Sequence, residues 1–257
     1  MNRIDQTFGR LRAAGKKGLV GYLTAGDPTL AESERHIRAA IEAGLDVLEL
    51  GVPFSDPTAD GPVIQEASRR ALAAGTRLRD VLDLVRRLRA DYALPIVLFG
   101  YANPFYNHGF ARISVDAAAA GADGLLVVDL PFEEAAELRE PMERAGLCLI
   151  PLIAPTTGAQ RSAAILRGAR GFVYYIMVTG VTGTRDKVAV DLGEHLAALR
   201  RVTALPIAAG FGVSNGAQAK AAAAYADAVV VGSALVRAAQ ENRVGALVRD
   251  LRAGLDG

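Results

Sequence analysis

One pattern recurs along the 257-residue chain and limits what it can fold into. A helix-like segment ends in Ala-Gly, a short linker carries an Asp, and an apolar run follows. Ala43-Gly44-Leu45-Asp46 precedes VLELG, and Ala120-Gly121-Ala122-Asp123 precedes GLLVVD. Ala224-Tyr225-Ala226-Asp227 before AVVVG is a variant, and Gly168-Ala169-Arg170-Gly171 before FVYYI a degenerate copy. Gly ends a helix where a positive φ is needed, and Pro, as in LPIVLFG and LPIAAG, stops the helix from running on. The apolar runs predict eight strands, at 18–24, 47–51, 96–100, 124–128, 148–153, 172–177, 206–210 and 228–232. They are nearly continuous, as parallel strands buried on both faces should be. Helical period fills 31–43, 78–90, 133–144, 192–202 and 215–224, and residues 3–14 predict an additional helix before the first strand. Repeated β-then-α units with no polar linker predict an α/β fold, one (β/α)8 barrel spanning residues 1–257, with an open doubly wound sheet as the alternative.

Such a barrel needs a large core, and a hydrophobic content of 51% supplies it. Lys plus Arg is 29 against Asp plus Glu at 28, a balance that argues against nucleic acid or a membrane surface as partner. The single Cys148 excludes an internal disulfide framework. No run of about 18 apolar residues and no signal-like amino terminus is present, so a cytoplasmic protein is expected.

Catalytic groups of a parallel barrel gather at the carboxyl ends of its strands. Asp46, Asp123 and Asp227 enter strands from the other end and are expected to bond loop amides. Glu49, Asp56, Asp60, Asp27 and Asp129 lie at or just past strand ends and are the candidates. In Val47-Leu48-Glu49-Leu50-Gly51 the leucines suit the helix side, which turns Glu49 into the barrel, where lost hydration should raise its pKa. Asp60 sits in a proline-rich loop, Pro53 to Pro62, able to hold a carboxylate over the mouth; capping a turn is the other role for it, and the better one for Asp56. Gly210-Phe211-Gly212, Gly232-Ser233 and Gly180-Val181-Thr182-Gly183 follow adjacent strands, and together they suggest a phosphate site, with Ser233 able to cap the helix after the last strand and donate a hydroxyl. Lys16, Lys17, Lys187 and Lys220 avoid strand ends, which disfavours a Schiff-base aldolase. His36, His108 and His195 are scattered, leaving no metal cluster. Proton transfer by carboxylates on a phosphorylated substrate remains, and Tyr22, Phe99, Tyr101, Tyr174 and Phe211 suggest a planar apolar moiety.

The stretch from Leu48 to Pro62, LELGVPFSDPTADGP, closely resembles the signature of the tryptophan synthase alpha chain family. The resemblance runs the length of the chain through Tyr22–Pro28, Gly100–Pro104, Asp129–Pro131, Gly180–Gly183, Gly210–Gly212 and Gly232-Ser233. It implies cleavage of indole-3-glycerol phosphate to indole and glyceraldehyde 3-phosphate without a cofactor in this chain. Glu49 would be the general acid/base, and Asp60 would meet the indole N–H. Tyr22, Tyr101, Asp129, Tyr174, Thr182 and Phe211 would line the substrate site, and Gly183, Gly212, Gly232 and Ser233 would cradle the phosphate. The implied partner is the beta chain, which carries pyridoxal phosphate, in an alpha2-beta2 heterotetramer. Phe54 and Pro57 are expected to be exposed for that partner, and 180–187 to act as a lid. A free-standing indole-releasing lyase, a catalytically silent regulatory barrel and another phosphate-binding barrel enzyme are the alternatives.

Overall fold

The computed structural model describes residues 2–176, 185–210 and 212–257, with residues 185–192 described by backbone alone. Its strands are β1 (Gly18–Thr24), β2 (Val47–Gly51), β3 (Ile96–Gly100), β4 (Gly124–Val127) and β5 (Cys148–Leu149), then β6 (Leu152–Ile153), β7 (Val173–Ile176), β8 (Ile207–Gly210) and β9 (Ala228–Val231). All pair in parallel, in the order β5-β4-β3-β2-β1-β9-β8-β7-β6. The first and last strands of that order are separated only by Ile150 and Pro151, so the two sheet edges are one stretch of chain and the barrel closes.

The expected strand 148–153 is therefore two short strands, and the described sheet has nine strands where the sequence predicts eight. Pro151 has no N–H to give to a ladder, which breaks the pairing locally. On one side of the break the Ile150 amide donates to the Leu125 carbonyl at 2.8 Å. On the other, the Tyr174 amide donates to the Pro151 carbonyl at 2.9 Å.

Helices α1 (Arg3–Ala13), α2 (Leu30–Glu42), α3 (Pro62–Ala73) and α4 (Leu78–Asp91) precede β3. Between β3 and β5 lie α5 (Ala102–His108), α6 (Phe110–Ala120) and α7 (Ala136–Arg144). After β6 come α8 (Ala159–Leu166), α9 (Arg185–Arg200), α10 (Gly216–Ala223), α11 (Ser233–Gln240) and α12 (Val244–Asp256).

Period-two alternation sorts the strand residues into two layers. Val20, Tyr22, Val47, Val97, Phe99, Leu126, Ala208 and Val230 pack in the barrel interior. Leu19, Leu23, Leu48, Leu50, Ile96, Leu98 and Leu125 pack outward against the helices. Three helices join the interior layer, α11 through Val236. Ile4, Phe8 and Leu11 of α1 close the amino-terminal end of the barrel, with the Phe8 and Phe172 rings 5.6 Å apart. Ala67 of α3, with Val63 and Ile64, packs onto the same interior cluster. Plugged by α1, the barrel offers its other end for chemistry.

The three Asp residues of the repeat do one job. Each sits just before a strand and accepts the first or second amide of the strand before it: Asp46 from Leu19 at 2.8 Å, Asp123 from Ile96 at 2.9 Å, Asp227 from Ile207 at 2.8 Å. An arginine neutralises each carboxylate, Arg252 at Asp46, Arg89 and Arg3 at Asp123, Arg200 at Asp227. This end of the barrel is a set of carboxylate-and-arginine staples.

Candidate active site

Glu49 occupies the third position of β2, between Leu48 and Leu50, which both face the helices. Its side chain consequently points inward, and it is completely buried. Neither carboxylate oxygen has a hydrogen-bond partner among the described residues. Burial alone pushes its pKa up to about 8, so near neutrality it carries a proton. A carboxyl with this environment can give a proton and take one back in a single active-site cycle.

Asp60 hangs from the loop between β2 and α3, half-buried. The Tyr101 hydroxyl donates to Asp60 Oδ2 at 3.1 Å and accepts the Ala59 amide at 3.0 Å. Gln65 on α3 closes the loop from behind, its Nε2 donating to the carbonyls of Asp60 at 2.8 Å and Pro57 at 3.3 Å. Burial raises the Asp60 pKa to about 6, and the Tyr101 hydrogen bond holds it from rising further. The site thus pairs a carboxyl that stays protonated with one that stays ionised at neutral pH.

Aromatic rings fill the space beside them. Tyr22 and Phe99 meet edge to face at 5.1 Å, and Phe99 and Tyr174 lie tilted at 6.3 Å. Burial raises the pKa of Tyr22 and of Tyr174, and the charges of Asp60 and Glu49 raise both further. These phenols remain neutral, and both lie near the two carboxyl groups. The absence of a side chain at Gly51 makes room for Tyr22, since a Cβ there would stand 2.2 Å from the Tyr22 hydroxyl.

Past the end of β8, Gly212 has φ +65, a conformation L side chains rarely adopt. Gly232, and not Ser233, occupies the position before the first turn of α11, and no side chain caps that helix. The expected Ser233 cap is thereby corrected: Ser233 is the first helical residue, and its amide joins the free N–H groups of the helix start. A Cβ on Gly232 would lie 3.6 Å from Ile64 Cδ1 and 3.7 Å from Tyr22 Cβ, which places Gly232 beside α3 and the aromatic wall. Thr182, Gly183 and Phe211 lie outside the described residues, as does most of the expected lid at 180–187.

Other candidates have local duties. Asp129 is exposed, and its Oδ1 accepts the Ala102 amide at the start of α5 at 2.7 Å. It also lines a cavity of about 530 Å³ whose walls include residues of α7 and α8 and which contains neither Glu49 nor Asp60. Asp56 is exposed and accepts from the Ser55 hydroxyl at 2.5 Å. Asp27 is buried in an ion pair with Arg70. Phe54 and Pro57 are half-buried, not exposed, because the Phe54 ring rests on that of Tyr101 at 5.2 Å. His108 pairs with Asp116 at 2.7 Å, His195 contacts the Tyr175 hydroxyl at 3.2 Å, and His36 is buried against Asn242. Among the described residues no group of three or more His, Cys, Asp or Glu could hold a metal ion. Cys148 packs in the barrel interior, its thiol pushed up to about 11 by burial. Gln65 and Arg70 do not emerge from sequence reasoning, because each acts on a partner that no local motif identifies.

A family model described as "Tryptophan synthase alpha chain" matches residues 8–251. The tryptophan synthase alpha chain of Geobacter sulfurreducens is 52% identical, over 92% of this chain and 90% of its own length. That of Alkalilimnicola ehrlichii is 48% identical, over 100% of this chain and 97% of its own length. Among solved structures, the alpha chain from Legionella pneumophila superposes with a TM-score of 0.91 at 37% identity, covering 100% of this chain and 98% of that one. Tryptophan synthase from M. tuberculosis, in an open form with BRD0059 bound, superposes equally well at 0.91 and 37% identity, covering 99% and 98%.

Proposed function

The chain belongs to the tryptophan synthase alpha chain family, and from that premise we propose how its own residues cleave indole-3-glycerol phosphate into indole and glyceraldehyde 3-phosphate. The observation that carries the reading is Glu49, a buried, unpartnered carboxyl at the barrel mouth that is protonated near neutrality. Protonated Glu49 gives its proton to indole C3, which becomes tetrahedral and leaves positive charge on the ring. Ionised Asp60, facing the indole N–H, stabilises that charge in a site of low dielectric. Glu49, now a carboxylate, takes the proton of the hydroxyl next to the ring. The carbon–carbon electron pair returns to the indole, the aldehyde is released, and Glu49 ends protonated as it began.

Tyr22, Tyr101 and Tyr174 form the wall against the indole, and Phe211, Thr182 and Asp129 complete the list of expected substrate contacts. The phosphate rests on the amides around Gly212, Gly232 and Ser233, where the start of α11 offers free N–H groups and a favourable dipole, with Gly183 as the fourth contributor. The partner is the tryptophan synthase beta chain, joined in an alpha2-beta2 assembly in the cytoplasm, and pyridoxal phosphate resides in that partner. No helix among the described residues is long and apolar enough to cross a membrane. The test is direct: indole is measured after adding indole-3-glycerol phosphate to the purified chain, to the chain with beta chain, and to Glu49→Gln. Release by the parent and its loss in the variant support the reading. Equal release by both removes Glu49 from the mechanism.

A further inference from the structure

Asp60 and the phosphate cradle must stand at a fixed separation for one substrate to reach both, and α3 is the element that joins them. Asp60 precedes its first turn by two residues, and Ile64 in that turn lies against Gly232. Val63, Ile64 and Ala67 face the barrel interior, so α3 lies on the mouth. Its other end is held by Arg70, whose Nε and Nη2 donate to the two oxygens of Asp27 at 2.6 Å and 2.8 Å. Asp27 is only 5% exposed and sits in the turn that follows β1. A two-point fork between planar groups fixes direction as well as distance. Stability alone gives little reason for it, because a buried ion pair returns about what its desolvation costs and apolar residues can replace it without loss.

We infer that Asp27 and Arg70 are a positioning pair for the cleavage reaction, holding Asp60 and Gly232 in register with Glu49 through α3. The inference rests on the reading above, in which Asp60 and Gly232 belong to the active site. Neither Asp27 nor Arg70 is assigned a contact with substrate; both act through the helix.

Arg70→Lys keeps the charge and most of the stem but cannot form the fork. Assayed well below its Tm, this variant should lose about 10- to 100-fold in kcat for indole release, the scale of an ångström of misplacement at a reacting centre. Its KM for indole-3-glycerol phosphate and its Ki for inorganic phosphate should rise together, while the far-UV spectrum stays parental. Asp27→Asn, which offers the guanidinium a single acceptor oxygen, should show the same split. Arg69→Lys, at an exposed neighbour on α3 paired with Glu66, should leave every constant parental. If the parent itself releases no indole, the functional reading fails before this one is reached. An active parent with both variants folded and parental in kcat and KM overturns the positioning role. So does failure of both variants to fold, since the pair would then be a requirement of folding.

Discussion

Glu49 is poised by what it lacks. A structural carboxyl at that depth would have an arginine or amides against it, as Asp123 has, whereas Glu49 has neither. Its activity should therefore depend on pH in a definite sense. The protonated form is lost as pH rises through about 8, and ionised Asp60 is lost as pH falls through about 6. A kcat/KM profile for the free chain should be bell-shaped between those limbs. Full activity persisting well above pH 9 would show that Glu49 does not act as the acid. The same shift acts on stability. A carboxyl raised from 4.5 to about 8 on folding contributes stability that is complete below pH 4.5 and lost as pH climbs through about 8. Glu49→Gln cannot ionise, so its Tm should gain on the parent's between pH 5 and 8, at about 1.4 kcal/mol per unit while the folded group stays protonated, as its turnover falls by about 10²–10⁴-fold. Tyr101→Phe makes the converse test. It keeps the ring under Phe54 but removes the donor to Asp60, so the acid limb should move upward. An unmoved limb would disconnect the two residues.

Among the elements, the parallel strands were the most legible, because burial on both faces leaves an apolar run that turn residues cannot imitate. β1, β2 and β3 match the residues read from the sequence, and β4, β8 and β9 differ by one residue at one end. The break at Pro151 was visible as a proline but not as a break, since only the pairing partners on either side show that no ladder crosses it. Periodicity marked α4 and passed over α3, which faces the barrel mouth and carries Arg69 and Arg70 beside its apolar residues. Within the site, Glu49 could be read from strand alternation, because direction along a strand is a local property. Tyr101 bracing Asp60, Arg70 reaching Asp27 and the rest of Phe54 on Tyr101 are contacts across 40 residues or more, and one sequence does not encode them locally. The repeat itself yields a stability prediction at this scale. Asp123→Ala would leave Arg89 and Arg3 without their carboxylate and the Ile96 amide without its acceptor. Breaking a buried pair from one side costs about 3–5 kcal/mol, so urea unfolding should show a loss of that order, with kcat of the folded fraction parental. A lowered kcat at full folding would mean that the closed end of the barrel communicates with the open one.

Among the described residues, α1 fills one end of the barrel. On the reading proposed above, indole formed beside Glu49 leaves by the opposite end, the mouth, past the loop of residues 53–61. That loop is braced from inside by Tyr101 and Gln65, yet Ser55, Asp56, Thr58 and Ala59 remain exposed on its outer surface. A surface held by its own hydrogen bonds can receive a partner with little ordering cost, and ordering is a large part of what association must overcome. The beta chain is therefore expected to dock on this face and take up indole where it emerges. Because the loop bearing Asp60 is already seated, the gain from docking should come from completing the site over the bound substrate, through the segment 180–187 whose Gly content suits a lid. A step of that kind acts after binding and appears in kcat. The isolated chain should release indole slowly, and adding matched beta chain should raise kcat by a larger factor than it lowers KM. Steady-state indole release at saturating indole-3-glycerol phosphate, with and without beta chain, measures this. Equal rates would mean that the mouth is catalytically complete in the isolated chain, and that the beta chain collects a product whose formation it does not control.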